Sequence, residues 1–313
     1  MTDLANLLRA SDNIALLTHR RPDGDTVGSA AAICRALRAI GKNAYIMPDP
    51  AFTARLSVMT DGLLAPTDFQ PNFILAVDFG TASRATVAYE NQVLNAVIDH
   101  HPTSSDVPAG SVVEPESAAT GELAFLLIEE LGVALDEAMA SAIYTAISTD
   151  TGCFLFSNTT ARTHRIAAAV TEAGAKVKEI NNAHFAVKTR GRIAVETLVR
   201  SHTEFYFSGR LAICFVSREE EQTASTNEDD FDNISNLTKD IEGVVVGAML
   251  RELENGCIRV SLRTSSPIDA AEICSAFGGG GHSRAAGFTS GKKAEWVTED
   301  IKSAVESRLP CRD

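Results

Sequence analysis

The stretch Asn13-Ile-Ala-Leu-Leu-Thr-His-Arg-Arg-Pro-Asp-Gly-Asp25 joins two kinds of pattern in a few residues. Asn13–Thr18 is a short, continuously apolar run, the mark of a strand buried on both faces. Pro22-Asp23-Gly24-Asp25 is rich in turn formers, and from Thr26 to Ile40 the apolar residues recur at helical spacing. A strand, a polar loop and a helix in that order predict the first unit of an open parallel sheet. Working outward, the pattern repeats. Asn43–Met47, Phe73–Val77 and Asn95–Ile98 are further short apolar runs, and Thr120–Leu131 and Asp136–Thr149 have helical periodicity. The fold class expected is therefore α/β, with a parallel sheet covered by helices on both faces.

In such a sheet, ligands bind outside the carboxyl ends of the strands. The loop after the first run carries His19, Asp23 and Asp25, Asp78 follows the run ILAV, and Asp99-His100-His101 follow the run NAVI. Asp150 comes at the end of the second helical stretch, just before Gly152. Each acid alone has an ordinary reading as a turn or N-cap residue, and a His-His pair alone is more often a packing feature. Together they bring five carboxylates to one crevice, which cations must occupy if the acids are not to repel one another. Asp150 adds to this, because a helix C-terminus is the negative end of the macrodipole. Oxygen ligands mixed with imidazole suit manganese or a similar divalent ion, and the number of groups suggests two metals sharing a carboxylate.

The four segments THRRPDGDTVGSA, ILAVDFG, AVIDHHPTS and STDTGCFLFSNTT resemble, in order and spacing, the four motifs of the DHH phosphoesterase superfamily. The resemblance covers residues 10–165. It implies one metal held by His19, Asp23 and Asp78, and a second held by Asp25, Asp78, His100 and Asp150, with Asp78 bridging. It places His101 at the scissile phosphate, as the group that protonates or stabilises the leaving oxygen, and Asp99 behind an imidazole. The implied chemistry is in-line attack by a hydroxide bridging two divalent cations.

The second half reads as α+β, and the expected division is a catalytic domain over 1–185, a linker over 186–200 and a smaller domain over 201–313. Glu204–Val216 predicts two strands around Ser208–Gly209. Gly243–Glu252 and Cys257–Arg263 predict a hairpin across Asn255–Gly256. Ile268–Phe277 and Lys292–Arg308 look helical. Four glycines, 278–281, precede His282 and Arg284, and Arg263 and Ser265 stand at a strand end. A bare glycine run is usually a turn. With a histidine and an arginine after it, the run points to backbone approaching an anion, at a helix start if one follows. The segments VSLRTSS and FGGGGHSRAAGF resemble the nucleotide-binding domain that accompanies many DHH phosphoesterases. This implies substrate contacts from Arg263, Ser265, Gly279, Gly280, Gly281, His282 and Arg284, with the nucleotide clamped by this domain. The two-domain length resembles the nanoRNase/pAp-phosphatase branch, also labelled exopolyphosphatase-related, and is too short for the RecJ exonuclease architecture. The expected substrates are short oligonucleotides or 3′-phosphoadenosine 5′-phosphate. The alternatives are an inorganic pyro- or polyphosphate hydrolase, against which the GGGH element argues, and a non-catalytic nucleotide sensor, against which the intact metal positions argue.

The chain has 313 residues and a net charge of −13, which disfavours a stable complex with long nucleic acid. No membrane span and no signal peptide are evident, so a cytoplasmic location is expected; a homodimer is an allowed assembly. The six cysteines (Cys34, Cys153, Cys214, Cys257, Cys274 and Cys311) contain no CxxC pair and read as reduced and mostly buried. His164, His184 and His202 read as structural. Between Glu219 and Asp232 there are seven acidic residues and no basic one, read as a solvated loop running into a helix with no chemical role.

Overall fold

The strand, loop and helix predicted for residues 13–40 form β1 (Ile14–Leu17) and the helix Gly24–Ala39. The computed structural model describes residues 1–309 other than 103, 105, 225, 227 and 232. The chain divides into two compact units, Met1–Val187 and Lys188–Asp313. Residues 186–200, expected as a linker, hold most of the helix Arg190–His202, whose Val195 and Val199 are fully buried. Among the described residues no helix is long and apolar enough to cross a membrane. Cys311 lies outside the described residues; the other five cysteines are free thiols, Cys34, Cys214 and Cys274 being buried.

In the first unit β1 is joined by β2 (Ala44–Ile46), β3 (Phe73–Val77), β4 (Ala96–Asp99) and β5 (Val112–Val113). The order is β2-β1-β3-β4-β5, and every pairing is parallel. Side chains alternate across the sheet. Ile14, Leu16, Leu75, Val77 and Ile98 pack with the helices Thr2–Ala10, Gly24–Ala39, Thr120–Glu130 and Glu137–Asp150. Ala15, Leu17, Ile74, Ala76 and Val97 face the other way. Helices are expected on both faces, but they gather on the first. The second is closed by Phe79, Ala85 and the 3-10 turns Ala82–Arg84 and Val87–Tyr89, with Met47, Phe69 and Val107 from connecting segments. Small residues allow the helix Gly24–Ala39 to lie close on Glu137–Asp150. A Cβ at Gly28 would fall 2.5 Å from the Ala142 carbonyl oxygen, and one at Gly24 would fall 2.6 Å from Thr149 Cγ2.

The second unit is a six-stranded sheet. Its strands are β6 (Glu204–Tyr206), β7 (Leu211–Val216), β8 (Val246–Glu252), β9 (Ile258–Thr264), β10 (Gly280–His282) and β11 (Ala285–Ser290). The order is β10-β11-β9-β8-β7-β6, antiparallel except for β7 with β8. One face packs on Val297, Ile301 and Val305 of the helix Ala294–Glu306 and on Ile273 of Ala270–Ser275. The other face packs on the helix Arg190–His202.

Two expectations for this unit are corrected. No helix follows the glycine run: β10 turns directly into β11 because Gly280, Gly281 and His282 pair with Gly287, Ala286 and Ala285. The acidic segment is not simply solvated, although part of it lies outside the described residues. It includes the helix Arg218–Thr223, closed by a capping box between Ser217 and Glu220. Glu221 is buried in ion pairs with Arg251 and Arg218, and Asp230 is buried and accepts a hydrogen bond from Thr189.

Candidate metal centre and nucleotide surface

The carboxyl ends of β1, β3 and β4 lie at one edge of the parallel sheet, and each delivers its loop there. Asp23 caps the helix Gly24–Ala39, its Oδ1 accepting from the N–H groups of Asp25 and Thr26 at 3.1 Å. The N-terminal turn of this helix thereby carries Asp25 inward, where it is 1% exposed. Asp78, one residue past β3, has φ 70, a left-handed conformation unusual for a side-chain-bearing residue. Its two carboxylate oxygens are shared: Oδ2 lies 3.4 Å from His19 Nε2 and Oδ1 3.6 Å from His100 Nε2. Asp150 is the last residue of the helix Glu137–Asp150, with Oδ2 3.6 Å from His100 Nε2.

These residues form three interlocking trios whose donor atoms lie within 4.8 Å of one another: His19, Asp23 and Asp78; Asp25, His100 and Asp150; and Asp78, His100 and His101. All six positions expected as metal ligands are in the first two trios. Both outer imidazoles are oriented from behind. His19 Nδ1 is 3.0 Å from the Arg20 carbonyl and His100 Nδ1 3.0 Å from that of Ser117. An Nδ1–H donating to a carbonyl leaves Nε2 as the lone-pair nitrogen facing the carboxylates, as a metal-binding histidine requires. Asp25 accepts from the N–H groups of Thr120 and Gly121, both at 2.8 Å, and Asp78 from Thr120 Oγ1 at 2.7 Å.

The electrostatics call for positive charge. Burial, together with the charges of Asp78 and Asp150, holds the Asp25 carboxyl well above the usual carboxylate range. Burial pushes Asp150 up to about 6, Asp78 and Asp23 adding to the rise and His100 opposing it. Burial alone would lower His19, but its contacts with Asp23 and Asp78 carry it up to about 10. Protons thus hold the place where a cation would neutralise the same carboxylates. The set of imidazole nitrogens and carboxylate oxygens, with buried acids biased toward neutrality, fits a divalent cation of the manganese type.

Asp99 and His101 have a different arrangement. Asp99 is 0% exposed. Its Oδ1 accepts from His101 Nδ1 at 2.7 Å and from the His101 N–H at 3.2 Å, and its Oδ2 accepts from Ser104. Burial would raise Asp99, but the contacts with His101 and Ser104 lower it; burial would lower His101, but the hydrogen bond to Asp99 raises it. Asp99 therefore fixes the His101 ring at the edge of the acidic cluster and favours its charged form.

In the second unit Arg263 at the end of β9 is half-buried and donates from Nε to Asn236 at 2.9 Å and from Nη1 to the Leu262 carbonyl at 3.0 Å. No carboxylate among the described residues pairs with it, and burial lowers its pKa. Cross-strand register sets Arg263, Ala285 and His282 in one row, and Ser261, Gly287 and Gly280 in the next on the same face. His282 and Arg284 are exposed, and Arg284 donates to the Ile268 carbonyl at 2.9 Å. Ser265 is half-buried and its N–H is spent on Val245. The glycines divide by role. Cβ atoms at Gly279 and Gly281 would collide with β11, whereas those at Gly278 and Gly280 would meet nothing within 4 Å, Gly278 being required instead by its φ of 75. Packing against β11 therefore accounts for Gly279 and Gly281, backbone conformation for Gly278, and Gly280 is open with no constraint of either kind.

The DHH family, N-terminal domain, matches residues 13–147, and the DHHA1 domain matches 209–309. The bifunctional oligoribonuclease and PAP phosphatase NrnA of Thermus thermophilus is 34% identical over 98% of this chain and 93% of its own length. The chain belongs to the DHH family, in the branch of these phosphoesterases. An exopolyphosphatase-related protein of Bacteroides fragilis shares the fold at a TM-score of 0.89 and 23% identity, over 97% of this chain and 96% of that one. Exonuclease RecJ bound to manganese shares it more distantly, at a TM-score of 0.56 and 17% identity over 99% and 94%.

Several residues that complete this DHH-family site carry no signal in the motifs. Ser117 orients His100 through a backbone carbonyl, and Gly121 holds Asp25 through a backbone N–H, which any residue type could supply. Thr120 lies outside the motifs, and Ser104, the last residue of AVIDHHPTS, is not marked out within it by residue type. His164 stacks on Phe154 at 5.5 Å and His202 faces Glu220 at 3.5 Å, whereas burial and the nearby Arg55 take His184 down to about 4.

Proposed function

We propose that the protein hydrolyses the phosphoester bonds of short oligoribonucleotides and of 3′-phosphoadenosine 5′-phosphate, using two divalent cations, with manganese the best fit. The observation that carries this reading is the interlocked pair of trios with Asp78 between them. His19, Asp23 and Asp78 would hold one cation, and Asp25, His100 and Asp150, with the second oxygen of Asp78, the other. When bound, such a pair acidifies a water and neutralises the oxygens of a phosphate. The name of the 34% identical relative and the manganese in the fold-related exonuclease support the same reading.

The protein's own groups do the rest. Asp99 keeps a proton on His101 Nδ1 and favours the doubly protonated ring, from which Nε2 can give a proton to the departing oxygen. Arg263, with neutral partners only, is a guanidinium available to fork onto a phosphate or a base edge. Beside it, the small residues Ala285, Gly287 and Gly280 leave room for a flat ring. A division into a catalytic unit and a nucleotide-binding unit follows, in which the second contributes positioning more than chemistry. Release of AMP from pApA, measured against release of phosphate from pyrophosphate under the same manganese concentration, tests the reading. AMP release with inert pyrophosphate is expected. The reverse preference would make the protein an inorganic phosphatase, and inertness toward both would make it a sensor.

A further inference from the structure

One partly buried ionic network is not used by the function above. Arg162, in the first turn of the helix Ala161–Glu172, donates from Nε to Glu122 at 2.8 Å, from Nη1 to Glu114 at 2.8 Å and from Nη2 to Ser117 Oγ at 2.6 Å. Glu122 is 0% exposed and also accepts from Thr163 Oγ1 at 2.6 Å. A fully buried carboxylate is costly, and three-point use of one guanidinium is more than helix packing needs.

All three acceptors belong to the segment 114–122, and the same segment touches the acidic cluster from behind. The Ser117 carbonyl accepts from His100 Nδ1, the N–H groups of Thr120 and Gly121 hold Asp25, and Thr120 Oγ1 holds Asp78. Asn158, two residues before the N-cap Thr160 of Arg162's helix, bridges the Ala118 carbonyl at 2.9 Å and the Asp150 carbonyl at 3.2 Å. One strap therefore sets every member of the trio Asp25, His100 and Asp150, directly or through Asn158. Among the described residues it makes no such hydrogen bond to His19 or Asp23: His19 is held by the Arg20 carbonyl and Asp23 by the start of the helix it caps, so that of the trio His19, Asp23 and Asp78 the strap holds Asp78 alone.

We propose that Arg162 is a positioning residue for the second cation: by clamping Glu114, Ser117 and Glu122 it fixes the strap that orients Asp25, His100 and Asp150. The inference rests on the two-cation reading and adds that the two sites depend on the strap unequally. Groups that orient metal ligands from behind typically change affinity about 10- to 100-fold when lost, and that loss should fall on one of the two cations.

The test is manganese binding followed by the free-ion signal in electron paramagnetic resonance, with the thermal midpoint measured in EDTA as a separate readout of folding. Wild type should bind two ions; binding of none would refute the two-cation reading and not the role of Arg162 specifically. Arg162→Lys keeps the charge but cannot fork onto two acids. It is expected to hold the EDTA midpoint within a few degrees and to weaken one ion by roughly 10-fold or more while leaving the other within about twofold. Ser117→Ala, which removes one partner and leaves both acid contacts, should produce a smaller loss at the same ion. If both variants bind two ions with wild-type affinity, or weaken the two ions equally, the assignment is overturned and Arg162 serves only the packing of its helix.

Discussion

Adding one methyl group at Gly24 should disable the candidate metal centre from a position that supplies no ligand atom. Gly24 lies between Asp23 and Asp25 in the first turn of its helix, and its backbone has no special conformation. What it lacks is room: a Cβ there would meet the Thr149 side chain, at 2.6 Å from Cγ2 and 2.9 Å from Cβ as well as against Oγ1. Thr149 cannot easily swing away, because its Oγ1 donates to the carbonyls of Thr145 and Ala146 at 2.9 and 3.1 Å. Overpacking of this kind costs about 1–3 kcal/mol, or roughly 3–10 °C in Tm for a unit of this size. Relief by moving the helices apart would draw Asp23 and Asp25 away from Asp150, and a misplacement of about 1 Å costs on the order of 100-fold in turnover. Gly28→Ala is the control, since its Cβ would meet the Ala142 carbonyl oxygen at 2.5 Å, a backbone atom that no side-chain substitution removes. Measured by thermal melting and by turnover on pApA, Gly24→Ala should lose both. Thr149→Ala should restore part of each in the double mutant and do nothing for Gly28→Ala. Full activity in Gly24→Ala, or equal rescue of both glycine variants, would show that the helix contact does not set the geometry of the site.

Asp78→Asn removes the carboxylate proposed to serve both cations and should cut turnover roughly a thousandfold or more, about 4 kcal/mol of transition-state stabilisation, at saturating manganese; a tenth of wild-type turnover would exclude a bridging role. Cation stabilisation should depend on pH. The folded-state pKa of Asp150 lies at about 6, above its ordinary value, and that of Asp25 is raised too. The stability Asp150 contributes is therefore full below the unfolded carboxylate range and is lost as pH rises through about 6 in cation-free protein, and that of Asp25 changes with the same sign. Manganese should raise Tm more at pH 7.5 than at pH 5, where it must displace protons, and equal shifts at the two pH values would contradict this. Arg263→Ala should raise KM for pApA about 10-fold or more, a lost charge-assisted contact, while hydrolysis of bis-p-nitrophenyl phosphate stays near normal. His101→Ala should lose turnover with KM little changed, and identical effects of the two variants on both substrates would remove Arg263 from nucleotide binding.

The strands that position the site were legible because they are buried on both faces and so read as unbroken apolar runs: NIALLT, FILAV and NAVI locate β1, β3 and β4 to within two residues. β5 was not legible, since two valines make no run. β10 was missed because glycine has no strand propensity of its own; its pairing to β11 is imposed by tertiary structure. The helix Arg190–His202 was read as linker because its buried face is only Val195 and Val199. At the candidate metal centre the first ring of side chains announces itself through acids at strand ends. The second ring does not, because much of it is backbone: the carbonyls of Arg20 and Ser117 and the N–H groups of Thr120 and Gly121. Arg162 was invisible for another reason. Its three partners are spread over 114–122, and a lone arginine at a helix start has no spacing to read.

The left-handed backbone at Asp78 also bears on how this protein can change by descent. Only glycine, asparagine and aspartate adopt such a φ at little cost. Asparagine and glycine codons are each a single nucleotide away from those of aspartate. The replacements that spare the fold best are thus also the nearest ones genetically, and each removes the shared carboxylate. Lineages that keep the architecture and lose hydrolysis are reachable in one step, without passing through an unfolded ancestor. An asparagine or glycine at this position in a sequence that retains the other candidate ligands is therefore expected to keep the fold without hydrolysis.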